Sequence, residues 1–248
     1  MKPIALITGA TSGIGEATAR ILASKYSLII TGRRADRLEK LKGELATEVL
    51  TLNFDVRDRD AVNASIEDLP SEWKEIEVLI NNAGNAHGLA PIQEGNVDDW
   101  DAMIDINVKG LLYVSKAVIP GMVGRKKGHI INIGSVAGIE AYPNGNVYNA
   151  SKFGVNAITQ GMRLDLNPHH IKVSEIKPGL VQTEFSEVRF KGDKDKADKV
   201  YQGFDALQAG DIAETIEFIL SRPAHVNIAD MLVFPTAQAS ATMVNKQG

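Results

Sequence analysis

Short apolar runs alternate with longer amphipathic stretches along the whole chain. The runs are rich in Ile, Val and Leu, and each has the length of a strand that is buried on both faces. Such an alternation is typical of βαβ units, in which helices cover a parallel sheet. The pattern therefore predicts an α/β, doubly wound fold with seven parallel strands at residues 4–7, 27–31, 49–54, 78–81, 129–133, 172–177 and 230–234.

A surface helix is predicted between the second and third strands. Asp36 and Glu39 have the spacing of a capping box, and Leu38, Leu41 and Leu45 fall on one helical face. In doubly wound sheets, ligands bind outside the carboxyl ends of the strands. The residues that directly follow each apolar run are therefore the first candidates for function.

Length and composition place the chain among ordinary globular proteins. Its 248 residues suit one α/β domain spanning 1–248, and 44% of them are hydrophobic and 23% charged. A net charge of -4 gives no basic face for nucleic acid, and no stretch is apolar enough to span a membrane. The sequence lacks cysteine, which excludes disulfides and thiolate metal sites, and we expect a cytoplasmic protein without a metal.

A glycine-rich turn follows the first predicted strand and opens a helical pattern. Glycine permits unusual dihedral angles and close approach of the backbone to a ligand, and the N–H groups at a helix start attract phosphate. The turn therefore predicts a site for a dinucleotide pyrophosphate, although tight packing alone would also use glycines. Its residues are Gly9, Ala10, Thr11, Ser12, Gly13, Ile14 and Gly15.

The end of the second strand indicates which dinucleotide binds. An NAD site places an acidic residue there for the ribose 2'-hydroxyl, whereas arginine accommodates the 2'-phosphate of NADP. This chain has Arg33 and Arg34 after Gly32, and neither Thr31 nor Gly32 is acidic. We therefore predict NADP(H), with two solvated surface arginines as the alternative interpretation.

Tyr148 and Lys152 stand at positions i and i+4, on one face of a predicted helix. A phenol with an ordinary pKa of about 10 needs a nearby cation before it can act as an acid or base near neutral pH. Lys152 is placed to supply that cation. The spacing alone is weak support, since it arises readily by chance.

Two further polar residues accompany this pair. Ser135 follows the fifth strand, where its hydroxyl can hold a substrate oxygen or serve as a turn cap. Asn107 lies in the apolar helical stretch 103–118, where a poor helix former at a buried position needs a specific partner. Structural satisfaction and a proton-relay role are both open for Asn107.

The motifs together closely resemble those of the short-chain dehydrogenase/reductase family, in its order and across nearly the full length. The matching segments are Thr8-Gly9-x3-Gly13-Ile14-Gly15, Asn81-Asn82-Ala83-Gly84, Asn107, Ser135, Tyr148-x3-Lys152 and Pro178-Gly179-x3-Thr183. The resemblance implies a single-domain Rossmann-type subunit and a homotetramer of such subunits. It also implies hydride transfer between C4 of the nicotinamide and a substrate carbon.

The resemblance also implies a role for each residue of a catalytic tetrad. Tyr148 is the acid/base, and Lys152 lowers its pKa and holds the nicotinamide ribose. Ser135 orients the substrate carbonyl, and Asn107 holds a relay water. The other implied cofactor contacts are Asp55 and Val56 at the adenine, Asn82, Ala83 and Gly84 along the adenosine-side ribose and cofactor backbone, Thr183 at the carboxamide, and Pro178, Gly179 and Val181 nearby.

Within that family, the chain is most similar to NADP-dependent 3-hydroxy acid dehydrogenases that also oxidise serine. Longer shared segments carry this likeness, at residues 31–34, 128–135, 188–192 and 223–228. It implies small 3-hydroxy acids, serine or the matching semialdehydes as substrates. We expect those relatives to have one more residue after Val181, which leaves the pocket shape near residues 178–185 open.

A small carboxylate substrate requires a cation, and Arg189 or Lys191 is a candidate. The segment 187–210, in particular its charge-dense part 187–199, is a candidate lid over the site. The alternatives are a solvated or mobile face for residues 191–199, and an interface role for Arg189.

Three other functions compete with this interpretation. A 3-oxoacyl carrier-protein reductase shares the tetrad but usually ends its last strand in a Val-Asp-Gly-Gly-like turn, where this chain has Leu232-Val233-Phe234-Pro235-Thr236. A reductase of another small acidic aldehyde, such as a sulfonated one, is hardly distinguishable from the sequence. A non-catalytic NADP-binding sensor would typically lack the Tyr or the Lys, and both are present.

Overall fold

The structure is a computed structural model that describes residues 2–247. Its centre is a parallel sheet with the strand order β3-β2-β1-β4-β5-β6-β9. The strands of this sheet are β1 Ile4–Ile7, β2 Ser27–Gly32, β3 Val49–Asn53, β4 Ile76–Asn81, β5 Gly128–Ile133, β6 Ile171–Pro178 and β9 Asp230–Val233. The predicted doubly wound α/β fold with seven parallel strands is confirmed, and the strand ends agree to within two residues.

Helices connect the strands and cover both faces of the sheet. They are α1 Gly13–Leu22, α2 Ala35–Glu44, α3 Arg59–Glu67, α4 Val97–Ile104, α5 Leu111–Arg125, α6 Asn146–Leu166, α7 Glu184–Arg189, α8 Lys194–Tyr201 and α9 Ala209–Leu220. Two short strands, β7 Val181–Gln182 and β8 Leu207–Gln208, pair in parallel outside the main sheet. The sequence did not predict them, because two residues are too few to show a period.

Successive residues of the central strand β1 pack on opposite faces of the sheet. Leu6 belongs to a core cluster with Val62 of α3 and Val114 of α5, while Ile7 packs with residues of α1 and α9. Because both faces are covered, all four residues of β1 are buried. This double burial explains why the strands appear in the sequence as continuous apolar runs.

The start of α2 differs from the predicted capping box. The N-cap residue is Arg34, which makes no side-chain cap, and Asp36 lies within the first turn. The helix begins at Ala35, directly after Arg34, so Asp36 lies inside the helix and is not its N-cap. Asp36 still favours the helix start through its negative charge near the N-terminus.

Two stretches differ from the structure that their sequences predict. Residues 103–118 do not form one uniform α-helix, because a π-helical turn, Asp105–Gly110, separates α4 from α5 and contains the buried Asn107. Such turns often occur at functional sites. The charged stretch after Lys191 forms the helix α8, with Asp193 as its N-cap, and most of its residues are exposed, as the solvated-face interpretation expects.

Between residues 2 and 247, no helix has both the length and the hydropathy that a membrane crossing requires.

Candidate active site

A cavity of about 540 Å³ lies at the carboxyl ends of the sheet strands, where the fold predicts a ligand. Most of the predicted site residues line it. They are Gly9, Thr11, Ser12, Gly13, Ile14, Arg33, Arg34, Asp55, Val56, Asn82, Ala83, Gly84, Ser135, Tyr148, Lys152, Pro178, Gly179, Val181, Thr183 and Arg189. Three predicted residues, Ala10, Gly15 and Asn107, do not line the cavity.

The glycine turn has a shape that other residues would not allow. Gly9 and Gly13 have φ angles of +67° and +55°, in the left-handed region that favours glycine. A Cβ atom on Gly15 would lie 2.4 Å from the Gly9 carbonyl oxygen and 2.5 Å from Nδ2 of Asn82. The turn therefore forms a close-fitting cradle directly before α1, which suits a pyrophosphate.

The two predicted cofactor arginines differ in their surroundings. Arg33 is 59% exposed and lies 3.7 Å from Asp55, which Arg57 contacts more closely at 2.7 Å. Burial acts to raise the pKa of Asp55, but its bonds with Arg57 hold that pKa below the usual range. Arg34 instead donates to Oγ1 of Thr11. The end of the cavity beside β2 is thus rich in cations, as a 2'-phosphate requires.

Tyr148 and Lys152 lie on one face of α6 and are both buried. Burial raises the pKa of Tyr148 well above its usual value, while a hydrogen bond with Ser135 and the charge of Arg189 act to lower it. Burial lowers the pKa of Lys152 to about 8, and its Nζ donates to the Ile133 carbonyl oxygen at 2.9 Å. Burial thus disfavours the charged form of both side chains.

Ser135 and Asn107 have structural partners in addition to any role in catalysis. The Ser135 hydroxyl accepts from the Ala137 N–H at 3.1 Å, which makes it the cap of a short 3-10 turn. Asn107 donates to the Asn85 carbonyl oxygen at 2.8 Å and to Ser151 at 2.9 Å, and it accepts from the Asn85 N–H at 2.8 Å. Asn107 therefore fixes the segment after β4.

Arg189 and Lys191 point to different places. The Arg189 guanidinium lies 5.5 Å from the ring centre of Tyr148 and donates to the Tyr142 hydroxyl at 2.9 Å. Lys191 pairs with Asp99 at 3.0 Å beside a second cavity of about 210 Å³. Of the two candidate cations, Arg189 is the one beside the Tyr148 ring.

Two aromatic residues that contact Tyr148 or Arg189 were not predicted as site residues. The rings of Phe185 and Tyr148 are 5.8 Å apart at an angle of 60°, and Tyr142 holds Arg189. Both lie outside the predicted strands and helices, so no periodic pattern marked them. Together these groups form a pocket in which a buried phenol, a hydroxyl and a cation can hold a small polar anion.

Comparison with known proteins agrees with this geometry. The model of the short chain dehydrogenase family matches residues 3–194. The NADP-dependent 3-hydroxy acid dehydrogenase YdfG of Salmonella typhi is 49% identical over 240 residues, which cover 96% of this chain and 97% of that protein. Sulfoacetaldehyde reductase 2 of Chromohalobacter salexigens is 44% identical over 243 residues, with 96% of both chains covered.

A solved structure extends the likeness to three dimensions. The closed form of serine dehydrogenase complexed with NADP+ superimposes with a TM-score of 0.94 at 46% sequence identity. The match covers 97% of this chain and 98% of that one. The likeness therefore includes the segment after residue 194, which the family model does not reach.

Proposed function

This chain belongs to the short-chain dehydrogenase family, and on that premise we propose that it is an NADP-dependent oxidoreductase of small 3-hydroxy acids or serine. The carrying observation is that one cavity brings together the glycine turn, the cations after β2, and the group Ser135, Tyr148 and Lys152. Relatives of 47% to 49% identity are named for NADP and 3-hydroxy acids, which supports the same assignment.

The residues of the chain fit this reaction at the substrate oxygen. When bound, the nicotinamide supplies or accepts the hydride at C4. The Tyr148 hydroxyl passes the proton to or from the substrate oxygen, and the Ser135 hydroxyl holds that oxygen. Burial alone would disfavour the phenolate of Tyr148, and the charge of Arg189 acts against this effect. We propose that Lys152, one helical turn further on, is the second cation that stabilises the phenolate. Asn107, which fixes the segment after β4, would hold a relay water beside that segment.

The cofactor contacts follow the shape of the cavity. The glycine turn holds the pyrophosphate, and Arg33 and Arg34 favour the 2'-phosphate of NADP. The remaining contacts that we propose are Asp55 and Val56 at the adenine, Asn82, Ala83 and Gly84 along the adenosine-side ribose and cofactor backbone, Lys152 at the nicotinamide ribose, and Pro178, Gly179, Val181 and Thr183 toward the carboxamide.

Arg189 is the proposed partner of the substrate carboxylate. Its guanidinium is part of the same pocket as the Tyr148 ring, so a small acid bound to it would present a nearby hydroxyl to the catalytic group. We also propose that segment 187–210 acts as a lid within one domain spanning 1–248, because Arg189 itself belongs to that segment.

A second candidate function is the reduction of a sulfonated aldehyde. The 44% identity with a sulfoacetaldehyde reductase favours it, and a guanidinium binds a sulfonate as well as a carboxylate. A carrier-protein reductase and a non-catalytic sensor are less favoured, since the last strand ends in Val233 before Phe234 and Pro235, and both Tyr148 and Lys152 are present.

A homotetramer is the proposed assembly. Large apolar side chains remain exposed on α6 and on β9, among them Leu164 at 77%, Phe153 at 44% and Leu232 at 44%. Exposed apolar surface of this kind suits contacts between subunits. Multi-angle light scattering of the purified protein would give four times the subunit mass if the assignment is right. The cytoplasmic location stays a prediction.

A substrate panel tests the proposed activity. NADPH formation from NADP is measured with serine, 3-hydroxypropionate, 3-hydroxyisobutyrate and uncharged alcohols of similar size, and NADPH consumption is measured with sulfoacetaldehyde. The proposal predicts the highest kcat/KM for a hydroxy acid or serine. Preference for the sulfonated aldehyde would support the second candidate, and turnover of none of them would contradict both.

A further inference from the structure

Glu184, the first residue of α7, has no role in the proposed chemistry or cofactor contacts, but it forms an ion-pair cluster with two arginines. One carboxylate oxygen lies 3.0 Å from Nη1 of Arg34, and the other lies 2.7 Å from Nη1 of Arg37. We call these three residues the Glu184 clasp. It joins the start of α2 to the start of α7, two segments that are 150 residues apart in the sequence.

Arg34 extends the clasp to the glycine turn. Its Nη2 donates to Oγ1 of Thr11 at 2.9 Å and to Oγ of Ser12 at 2.8 Å, while Nη1 reaches Glu184. The guanidinium is therefore occupied on both sides by protein atoms. Arg33, in contrast, is 59% exposed and has only the 3.7 Å approach to Asp55. Arg33 is thus the cation that remains available for a 2'-phosphate.

The other end of α7 is fixed at the substrate side of the cavity. The Arg189 carbonyl oxygen accepts from the Gly88 N–H at 2.9 Å, and its side chain bonds the Tyr142 hydroxyl. Phe185, next to Glu184, contacts the Tyr148 ring. The six residues of α7 therefore connect the arginine end of the cavity with the catalytic tyrosine.

In the clasp, the single carboxylate of Glu184 lies between the guanidinium groups of Arg34 and Arg37. Burial acts to raise the pKa of Glu184, but the bonds from Arg37 and Arg34 outweigh it and hold that pKa below the usual range. The same bond raises the pKa of Arg37. All three side chains are about 40% exposed, so the pairs are individually weak and sensitive to salt.

We propose that Glu184 is a positioning residue that fastens α7 across the cavity, so that NADPH is released only when its pairs with Arg34 and Arg37 open. This inference rests on the proposed function, because it takes NADPH as the retained ligand. It divides the work of the two neighbouring arginines. Arg33 contacts the 2'-phosphate directly. Arg34 contributes positive charge near that phosphate, while its guanidinium fastens α7 across the bound cofactor.

The rate of NADPH release tests the clasp without any turnover. NADPH fluorescence is followed by stopped flow after an excess of NADP is added to the NADPH-loaded protein. Glu184→Gln should raise the release rate by about three- to tenfold at low salt, and the gain should shrink at high salt because the wild-type pairs are then screened. The thermal midpoint should stay unchanged.

The matched control is Glu44→Gln. Glu44 also pairs with two cations, Arg20 and Lys40, and is 38% exposed, but it lies at the far end of α2 and does not line the cavity. Its replacement should leave NADPH release unchanged. An equal acceleration in this control would reduce the effect of Glu184 to a general change of charge and overturn the proposal.

Arg37→Gln supplies an independent check, because Arg37 does not line the cavity. It should accelerate release as well, and the double variant with Glu184→Gln should be no faster than the faster single variant. Tighter NADPH binding in Glu184→Gln with unchanged release would mean that Glu184 competes with the phosphate for Arg34, which contradicts the clasp. A wild-type protein that does not bind NADPH would refute the proposed function itself, whereas normal binding and turnover with unaltered release would refute only the clasp.

Discussion

The two ends of the cavity are built in different ways. At the cofactor end, the part that suits the pyrophosphate is a single turn after β1. Three glycines and their close contacts define its shape. The substrate end is assembled from separate segments, which contribute Gly88, Tyr142, Phe185 and Arg189 through side-chain contacts. From this difference we expect local backbone geometry to determine binding at the glycine turn. We expect substrate choice at the other end to depend on long-range contacts that can change one residue at a time.

Gly15→Ala should have the largest effect on the cofactor end. The added Cβ would lie 2.4 Å from the Gly9 carbonyl oxygen, so the turn must shift away from its present shape. We expect NADPH affinity to fall by about 30- to 100-fold, as measured by isothermal titration calorimetry. Gly43→Ala is the control, because nothing lies within 4 Å of its added Cβ. Equal affinities of the two variants would contradict the local model.

Arg189→Ala should affect the substrate end alone. Loss of a charge-assisted contact should raise KM for hydroxy acids by about 10- to 30-fold and leave NADPH affinity and the KM of an uncharged alcohol unchanged. Lys191→Ala is the control, since Lys191 faces Asp99 beside the second cavity. A KM that rises equally for charged and uncharged substrates would exclude the carboxylate contact.

Arg33→Ala sharpens the comparison within the cofactor end. Removal of this exposed cation should weaken NADP binding by about tenfold and leave NAD binding unchanged, because only NADP carries the 2'-phosphate. Dissociation constants for both dinucleotides give the ratio. Arg59→Ala, at an exposed arginine that does not line the cavity, should leave it unaltered. A ratio that stays constant in Arg33→Ala would remove this residue from cofactor selection.

The pH dependence of stability provides a test at Glu175, which lies between the two ends of the cavity. This carboxylate is fully buried behind Gly134, with Lys177 at 3.6 Å as its nearest cation and with Lys152 and Asp230 also acting on it. Burial raises its pKa from 4.5 to about 7. The folded protein therefore holds this proton more tightly than the unfolded chain, and the associated stability is complete below about pH 4.5 and is lost as the pH rises to about 7.

Glu175→Gln should consequently gain stability relative to the wild type as the pH rises from 5 to 8, by about 1 to 2 kcal/mol. Urea unfolding at each pH measures the difference. His129, whose pKa burial lowers to about 3, is present in both proteins and cancels in the comparison. Stability curves that run parallel across this range would show that Glu175 does not carry the buried charge.

Sequence information was sufficient where a short segment determines its own structure. The seven strands were predicted from short runs rich in Ile, Val and Leu, and the family follows from the ordered motifs and is confirmed by the comparisons. The predicted capping box at the start of α2 was wrong because Arg34 takes the N-cap position. The π-helical turn around Asn107 was not predicted because it has no sequence pattern of its own. Tyr142, Phe185 and Glu184 escaped prediction since their roles depend on partners that are distant in the sequence.

The most direct test of the account is the kcat of Tyr148→Phe with its best substrate, measured together with the dissociation constant of NADPH. Removal of the hydroxyl leaves the ring that contacts Phe185 in place, so binding should change by less than about twofold. The loss of the proton donor and acceptor should lower kcat by about 100- to 10,000-fold. A kcat near the wild-type value with normal NADPH binding would contradict the assignment of Tyr148 as the group that moves the substrate proton.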